Sequence, residues 1–239
     1  GADLLGATLG NPNTYDADMK SIAAFGQLTV HIDEQLRLIG GLRATHDDVG
    51  MVSQSFLVSS GMTLPLNAPL NGSKQVDNVS WKIGGQFDID TSKMAYITAS
   101  RGYKGPQVVF NPPDPFAAAA GMVGPASISV VSPEYPMDYE AGVKTAWFHG
   151  ALIANHNLFY TRIKDYQSSV FNAQGASTAN NIDHVVTKGV ELDVLGMLLP
   201  GLTVNGGAIY NKATYPEYYV SCSELQPGPR CQPNASGAP

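Results

Sequence analysis

The strongest constraint in this chain is a two-residue hydrophobic period that persists for about 10 to 12 residues at a time in eight separate segments. In Val79–Asp90, Val79, Trp81, Ile83, Gly85, Phe87 and Ile89 alternate with Ser80, Lys82, Gly84, Gln86, Asp88 and Asp90. Successive side chains of a strand point to opposite sides of a sheet, so this run predicts a strand with one apolar and one polar face. The same parity recurs in Ser21–Ile32, Gln35–Thr45, Met94–Tyr103, Met137–Trp147, Ala151–Thr161, Val185–Leu195 and Leu202–Asn211. His156 is an awkward member of the apolar set.

Length turns this pattern into an architecture. Strands of soluble proteins average about 5 to 6 residues, whereas a tilted strand needs roughly 9 to 11 to cross a bilayer. Connections alternate between short turns (33–34, 91–93, 149–150, 199–201) and long links (46–78, 104–136, 165–184, and 212 onward). That asymmetry is the one found between periplasmic turns and extracellular loops of outer-membrane barrels. The polar face carries Arg37, Arg43, Lys82, Asp88, Asp138, Glu140, Lys144, Glu191 and Asp193. So many charges suit a wet lumen better than a packed core, where each would need a partner. The reading is an all-β, antiparallel transmembrane β-barrel. A soluble β-sandwich or lipocalin-like barrel also alternates, but would place its charged face outward and use shorter strands.

Composition agrees. Charged residues are only 14% of the 239, with hydrophobic residues at 44% and a net charge of −6. The chain is too apolar for disorder, and its acidic balance offers no basic stripe for nucleic acid. No 18-residue apolar run suggests a transmembrane helix, and Phe116–Val131 is too short and broken to be one. The N-terminus shows no signal peptide and both ends read as cuts, so a fragment is expected. Tyr96, Tyr103, Tyr139, Trp147, Tyr160 and Tyr210, near strand ends, are candidate interfacial girdles, with cross-strand packing as the alternative.

Little points to chemistry. His46-Asp47-Asp48 could touch a metal, but three adjacent residues do not converge easily on one ion, and a solvated loop start is favoured. There is no nucleophile elbow, phosphate loop or paired zinc motif, so no catalytic residue, metal site or cofactor is expected. Cys222 and Cys231, in the last long segment, are a candidate disulfide. The sequons at Asn71, Asn78 and Asn234 matter only in a eukaryotic secreted chain.

Several runs resemble barrel strands of TonB-dependent outer-membrane receptors: Tyr96-Ile-Thr-Ala-Ser-Arg-Gly-Tyr-Lys104, Tyr139-Glu-Ala-Gly-Val-Lys144, Phe159-Tyr160-Thr161 with Asp165-Tyr166-Gln167, and Lys188-Gly-Val-Glu-Leu-Asp193 before Pro200-Gly-Leu202. Phe25-Gly26-Gln27 and Gly41-Leu42-Arg43 fit the preceding hairpin. The resemblance implies about eight strands of a barrel of about 22, with the plug domain and C-terminal strands lying outside residues 1–239. It also implies a place in the bacterial outer membrane, and transport of a scarce nutrient such as a ferric siderophore or similar chelate. Energy would come from a TonB system acting through an N-terminal region. Candidate ligand contacts are Arg101, Tyr103 and Lys104 at a strand mouth, and Tyr215, Tyr218 and Tyr219 in the last loop, with interfacial anchoring and loop packing as the alternative role. A passive porin remains the rival membrane reading.

Overall fold

A computed structural model describes residues 3–4, 7–10, 12–59, 62–112, 126–171, 177–216, 220–221 and 231–232. Eight long strands form its frame: β1 (Asn13–His31), β2 (Leu36–Ser59), β3 (Leu70–Asp90), β4 (Lys93–Arg101), β5 (Tyr135–Trp147), β6 (Leu152–Phe171), β7 (Ser177–Leu199) and β8 (Leu202–Thr214). Each pairs antiparallel with the next in an up-and-down meander. β1 and β8 do not pair with each other among the described residues, so the sheet is open at both edges.

The register carries the sequence parity across the whole sheet. Leu42 faces Gly26 and Trp81; Ala141 faces Ile97 and Leu158; Val190 faces Leu158 and Tyr210. Directly opposed residues project to the same side, so these rows make one continuous apolar surface. Ile22, Leu28, Leu42, Ile83, Ile97, Leu158 and Tyr210 are all more than half exposed. The chain's surface is 15995 Å², against roughly 10,300 Å² for a water-soluble monomer of this mass. A sandwich would have hidden that surface; here the covering medium is lipid.

Tight turns close one end. Asp33 Oδ1 accepts the backbone N–H groups of Gln35 (2.8 Å) and Leu36 (2.7 Å), and Asp90 Oδ1 accepts the Ser92 backbone N–H (2.7 Å) and the Ser92 hydroxyl (2.6 Å). These are the side-chain-to-backbone bonds that favour Asp in turns. The third turn holds Phe148, His149 and Gly150 at positive φ, and the fourth uses Gly201. At the other end, the strands run further than the hydrophobic period indicates. The links 46–78 and 165–184 are largely ladder: β2 and β3 stay paired out to Ser53 and Leu70, and β6 and β7 out to Phe171 and Ser177. The backbone can continue its hydrogen bonds above the bilayer, but no lipid requires an apolar face there. By contrast β4 stops at Arg101, short of Tyr103.

Between β4 and β5 the chain leaves the sheet. Residues 102–112 and 126–134 form a strap with its own hairpin, Gln107–Asn111 paired with Ser127–Val131. The end of the apolar run Phe116–Val131 is therefore strand, while residues 113–125 lie outside the described set. Phe110, Ala126 and Val131, together with Val49 on β2 and Val185 on β7, are the buried apolar residues among those described. The conventional core is thus small and sits where the strap meets the polar side of the extended strands.

Candidate functional site

The polar faces of β2 to β7 line one wall. Near the turns, Arg37 donates to Asp88 Oδ1 (2.7 Å) and Gln86 Oε1 (3.3 Å). Midway, the Tyr96 hydroxyl and Asn157 Nδ2 (3.2 Å) both donate to Glu140, and Asn157 also reaches Glu191 (3.3 Å). The Lys144 ammonium lies 5.6 Å from the Tyr96 ring centre. Gly142 faces Tyr96 across the ladder, and a Cβ there would stand 2.7 Å from the ring. Asn155 Oδ1 and Asn157 Oδ1 have no partner among the described residues. This is a wall of hydrogen-bonding groups, many half-buried, with Arg37–Asp88 its one ion pair among the described residues.

Tyr96 therefore belongs to the lumen and not to an interfacial girdle. Its position is even-numbered on β4, alongside Thr98 and Ser100, whereas the apolar row is Ala95, Ile97 and Ala99. Tyr103 is also removed from a girdle, because it lies past the end of β4 with its hydroxyl on Asp47. Tyr139, Tyr160 and Tyr210 do face outward about ten residues from their turns, and Trp147 outward beside its turn. Tyr139 and Tyr160 are directly paired, ring centres 6.4 Å apart. These four have girdle positions at the two rims of an apolar band.

The strap crosses the wall at its wide end. Lys104 and Glu134 exchange both backbone hydrogen bonds at 3.0 Å, and Lys104 Nζ reaches Glu134 Oε1 at 3.1 Å. Glu134, itself buried, also accepts the Gln167 backbone N–H at 2.6 Å. Gln167 Nε2 donates to the Gly105 (2.8 Å) and Ser132 (2.9 Å) carbonyls, and its Oε1 accepts from Gln107 (2.8 Å). Asn181 on β7 ties Ser132 at 2.8 and 3.0 Å. On the opposite side the Tyr103 hydroxyl donates to Asp47 Oδ2 at 2.8 Å. Asp47 is 3% exposed, and its Oδ1 lacks a partner among the described residues. Burial and this carboxylate hold the Tyr103 phenol well above its usual range, because an anion there would be poorly solvated and repelled.

Gly105 shows how the wall bends. β2 and β6 are four strand spacings apart, about 19 Å in a flat sheet. Yet Gly105 bonds Gln167 of β6, and a Cβ on it would lie 3.0 Å from Asp47 of β2. One residue spans both, so the sheet curls around the strap. Gly72 has a related use: a Cβ would meet Ile128 at 2.2 Å and Val108 at 3.0 Å, so only glycine lets the strap hairpin seat on β3.

The sequence-nominated residues separate into groups. Arg101 donates to Asn78 Oδ1 (3.1 Å) and the Val79 carbonyl (2.6 Å), its guanidinium 4.7 Å from the Tyr135 ring centre. Tyr103 packs on the same Tyr135 ring at 6.1 Å. Arg101, Tyr103 and Lys104 thus meet at the strap's root, each engaged internally. Tyr215 stands apart, 60% exposed, edge-on to Tyr166 at 6.5 Å. Tyr218, Tyr219 and Cys222 lie outside the described residues, as does the side chain of Cys231. His46, Asp47 and Asp48 alternate faces and do not converge: His46 bonds Asp77 (2.7 Å), Asp47 faces inward, and Asp48 accepts from Gln75 (3.0 Å). The Asp77 carboxylate raises the His46 pKa despite some desolvation. The strap anchors Glu134 and Asn181 escape sequence reading, and Asp47 and Gln167 enter it only within the runs His46-Asp47-Asp48 and Asp165-Tyr166-Gln167; the one available signal for the anchoring role is the inward parity of Asp47.

Comparison with known proteins places this arrangement. Residues 1–228 match the family profile described as TonB dependent receptor-like, beta-barrel. The ferric-pyoverdine receptor PbuA of Pseudomonas sp. is 23% identical over 209 residues, which are 87% of this chain and 23% of that receptor. Among solved structures, the ferric yersiniabactin uptake receptor FyuA of Yersinia pestis superposes with a TM-score of 0.64 at 22% identity, over 85% of this chain and 28% of FyuA. The ferric-catecholate import receptor Fiu of E. coli gives 0.61 at 19% identity, over 84% and 29%. The chain spans about a quarter of the length of these relatives. It belongs to the TonB-dependent receptor family, as part of an outer-membrane β-barrel.

Proposed function

We propose that residues 1–239 are a section of the barrel wall of an active-transport receptor, the plug and remaining strands belonging to other parts of the full-length protein. The cargo is a scarce, bulky nutrient, most simply a ferric siderophore or similar iron chelate, as the names of the relatives suggest. TonB would supply the energy through the N-terminal region. No bond is made or broken in the cargo, so the chain's task is non-covalent and not enzymatic. The observation that carries the reading is the polar, hydrogen-bonded lumen wall with a strap built across its mouth. A strap in the lumen narrows a passage, which fits gated import better than free diffusion.

Ligand contact is assigned to the mouth. Tyr215, Tyr218 and Tyr219 are candidate direct contacts, offering aromatic faces and phenols to a chelate. Arg101, Tyr103 and Lys104 would act through the strap they hold. A Cys222–Cys231 disulfide would staple the same loop; mass spectrometry of the unreduced receptor checks it.

The test is uptake of radiolabelled ferric chelates by cells whose sole receptor is the full-length protein. The expected result is binding that survives loss of TonB and import that does not. Import that continues without TonB would favour the passive porin.

A further inference from the structure

From the register of β6, β7 and β8, we infer a binding surface for the phosphate groups of an outer-leaflet lipid on the barrel's outer wall. Lys188 and Lys212 stand directly opposite each other, and Lys188 also faces Tyr160. The next outward positions on β6 are Arg162, opposite Val186, and Lys164, opposite His184. All four cations share the outward face with Leu158, Val190 and Tyr210, and all are exposed. They are 4 of only 14 basic residues in a chain of net charge −6, so the grouping runs against the composition.

Their height fixes the partner. Arg162, Lys188 and Lys212 lie 11 or 12 residues along their strands from Gly150, Pro200 and Gly201. At ~3.4 Å per residue and a tilt near 45° this is about 27 Å, just beyond an apolar band ~25 Å tall. Tyr160 and Tyr210 mark the rim immediately below. That level is the headgroup layer, where a cationic side chain meets lipid phosphate.

The charges have little internal relief: Asp183 lies close enough to feel Arg162 and Lys164 but within ion-pair distance of neither. Like charges directly opposite on a sheet repel, yet Arg162, Lys188 and Lys212 form no ion pair among the described residues, and Lys164 only a 3.9 Å contact to Asp165. The nearby Asp183 is bound to His184 at 2.5 Å. At the same level on β1 to β3 the outer face is different: Lys20 pairs with Asp18 (3.0 Å), His46 with Asp77 (2.7 Å), and Gln75 donates to Asp48 (3.0 Å). One sector is rich in carboxylates, with its lysine and histidine already paired; the other is left for an external anion.

The experiment is native mass spectrometry of the full-length receptor in detergent, titrated with diphosphoryl lipid A or its dephosphorylated form, with millimolar inorganic phosphate as competitor. The phosphorylated lipid should be retained about tenfold better, and K188Q/K212Q or R162Q/K164Q should each weaken it by about tenfold. K20Q/H46Q, on the outer face of β1 and β2, should leave retention unchanged, and inorganic phosphate should not displace the lipid. Heat-modifiable gel migration shows that each variant is folded, and the headgroup arm on the unmodified receptor needs no variant. Equal retention of the two lipids, full retention by both basic-patch variants, or displacement by inorganic phosphate would overturn the assignment.

Discussion

The sheet between the tight turns and the outward tyrosines, and the extension of the same strands beyond, follow one ladder but bury opposite faces. In the lower band the outward row is apolar (Leu38, Gly40, Leu42 and Ala44 on β2) and its cover is lipid. Past Ala44 the same parity carries His46 and Asp48, while the inward positions Thr45, Asp47, Val49, Ser53 and Ser55 are the buried ones. Burial switches side without any shift of register, since β2 and β3 remain in phase from Leu36↔Phe87 to Ser53↔Leu70. The strand does not choose its buried face; the surrounding medium does, lipid below and the strap above.

An arginine on the outward face tests this inversion with the largest effect. Ile97→Arg, in the middle of the band, should cost about 2–4 kcal/mol in denaturant unfolding of the lipid-reconstituted receptor, whereas Val52→Arg, outward in the extension, should stay within about 0.5 kcal/mol. Equal costs would erase the distinction between the regions.

Two substitutions probe the inner face of the extension. Gly72→Val drives a side chain into Ile128 and Val108, an overpacking worth about 1–3 kcal/mol. It should release the strap, read as faster hydrogen exchange over residues 102–112 and 126–134 with the β3–β4 band unchanged. Tyr103→Phe removes the donor to a buried carboxylate, a local cost of about 1–3 kcal/mol. Slower exchange at Lys104 and Gly105 than this implies would show that Asp47 finds another partner.

The smallest effect concerns titration. His46 gains a carboxylate partner on folding and its pKa is raised. Its contribution is therefore complete below about 6.5, its unfolded value, and is lost as pH rises through the higher folded value. An NMR titration of His46 should give a midpoint above that of the Asp77→Asn variant. Coincident midpoints would remove the pair from the account.

What was legible in the sequence follows from the same inversion. All eight strands and their turns could be read where lipid enforces an apolar face: the parity of Val79–Ile89 passes unchanged into the ladder. Links 46–78 and 165–184 read as loop because polar groups such as Asp47 and Gln167 take the buried positions there, which erases the hydrophobic period but not the hydrogen bonds. The strap hairpin was lost for another reason, since five-residue strands such as Gln107–Asn111 are too short to show a period. Tyr96 lies near a strand end, as a girdle residue would, but its parity places it inward with Glu140. Arg101, Tyr103 and Lys104 were legible as a cluster, but their partners Tyr135, Asp47 and Glu134 come from other strands, which spacing alone cannot supply.

The most direct test of a lipid-covered outer face is a spin-label scan of Val79–Asp90 in the full-length receptor reconstituted in liposomes, with Cys222 and Cys231 replaced by serine. Labels at 79, 81, 83, 85, 87 and 89 should be accessible to oxygen, those at the intervening positions should not, and the alternation should hold with period two along the whole segment. A flat profile, or oxygen access on the even positions, would contradict the account.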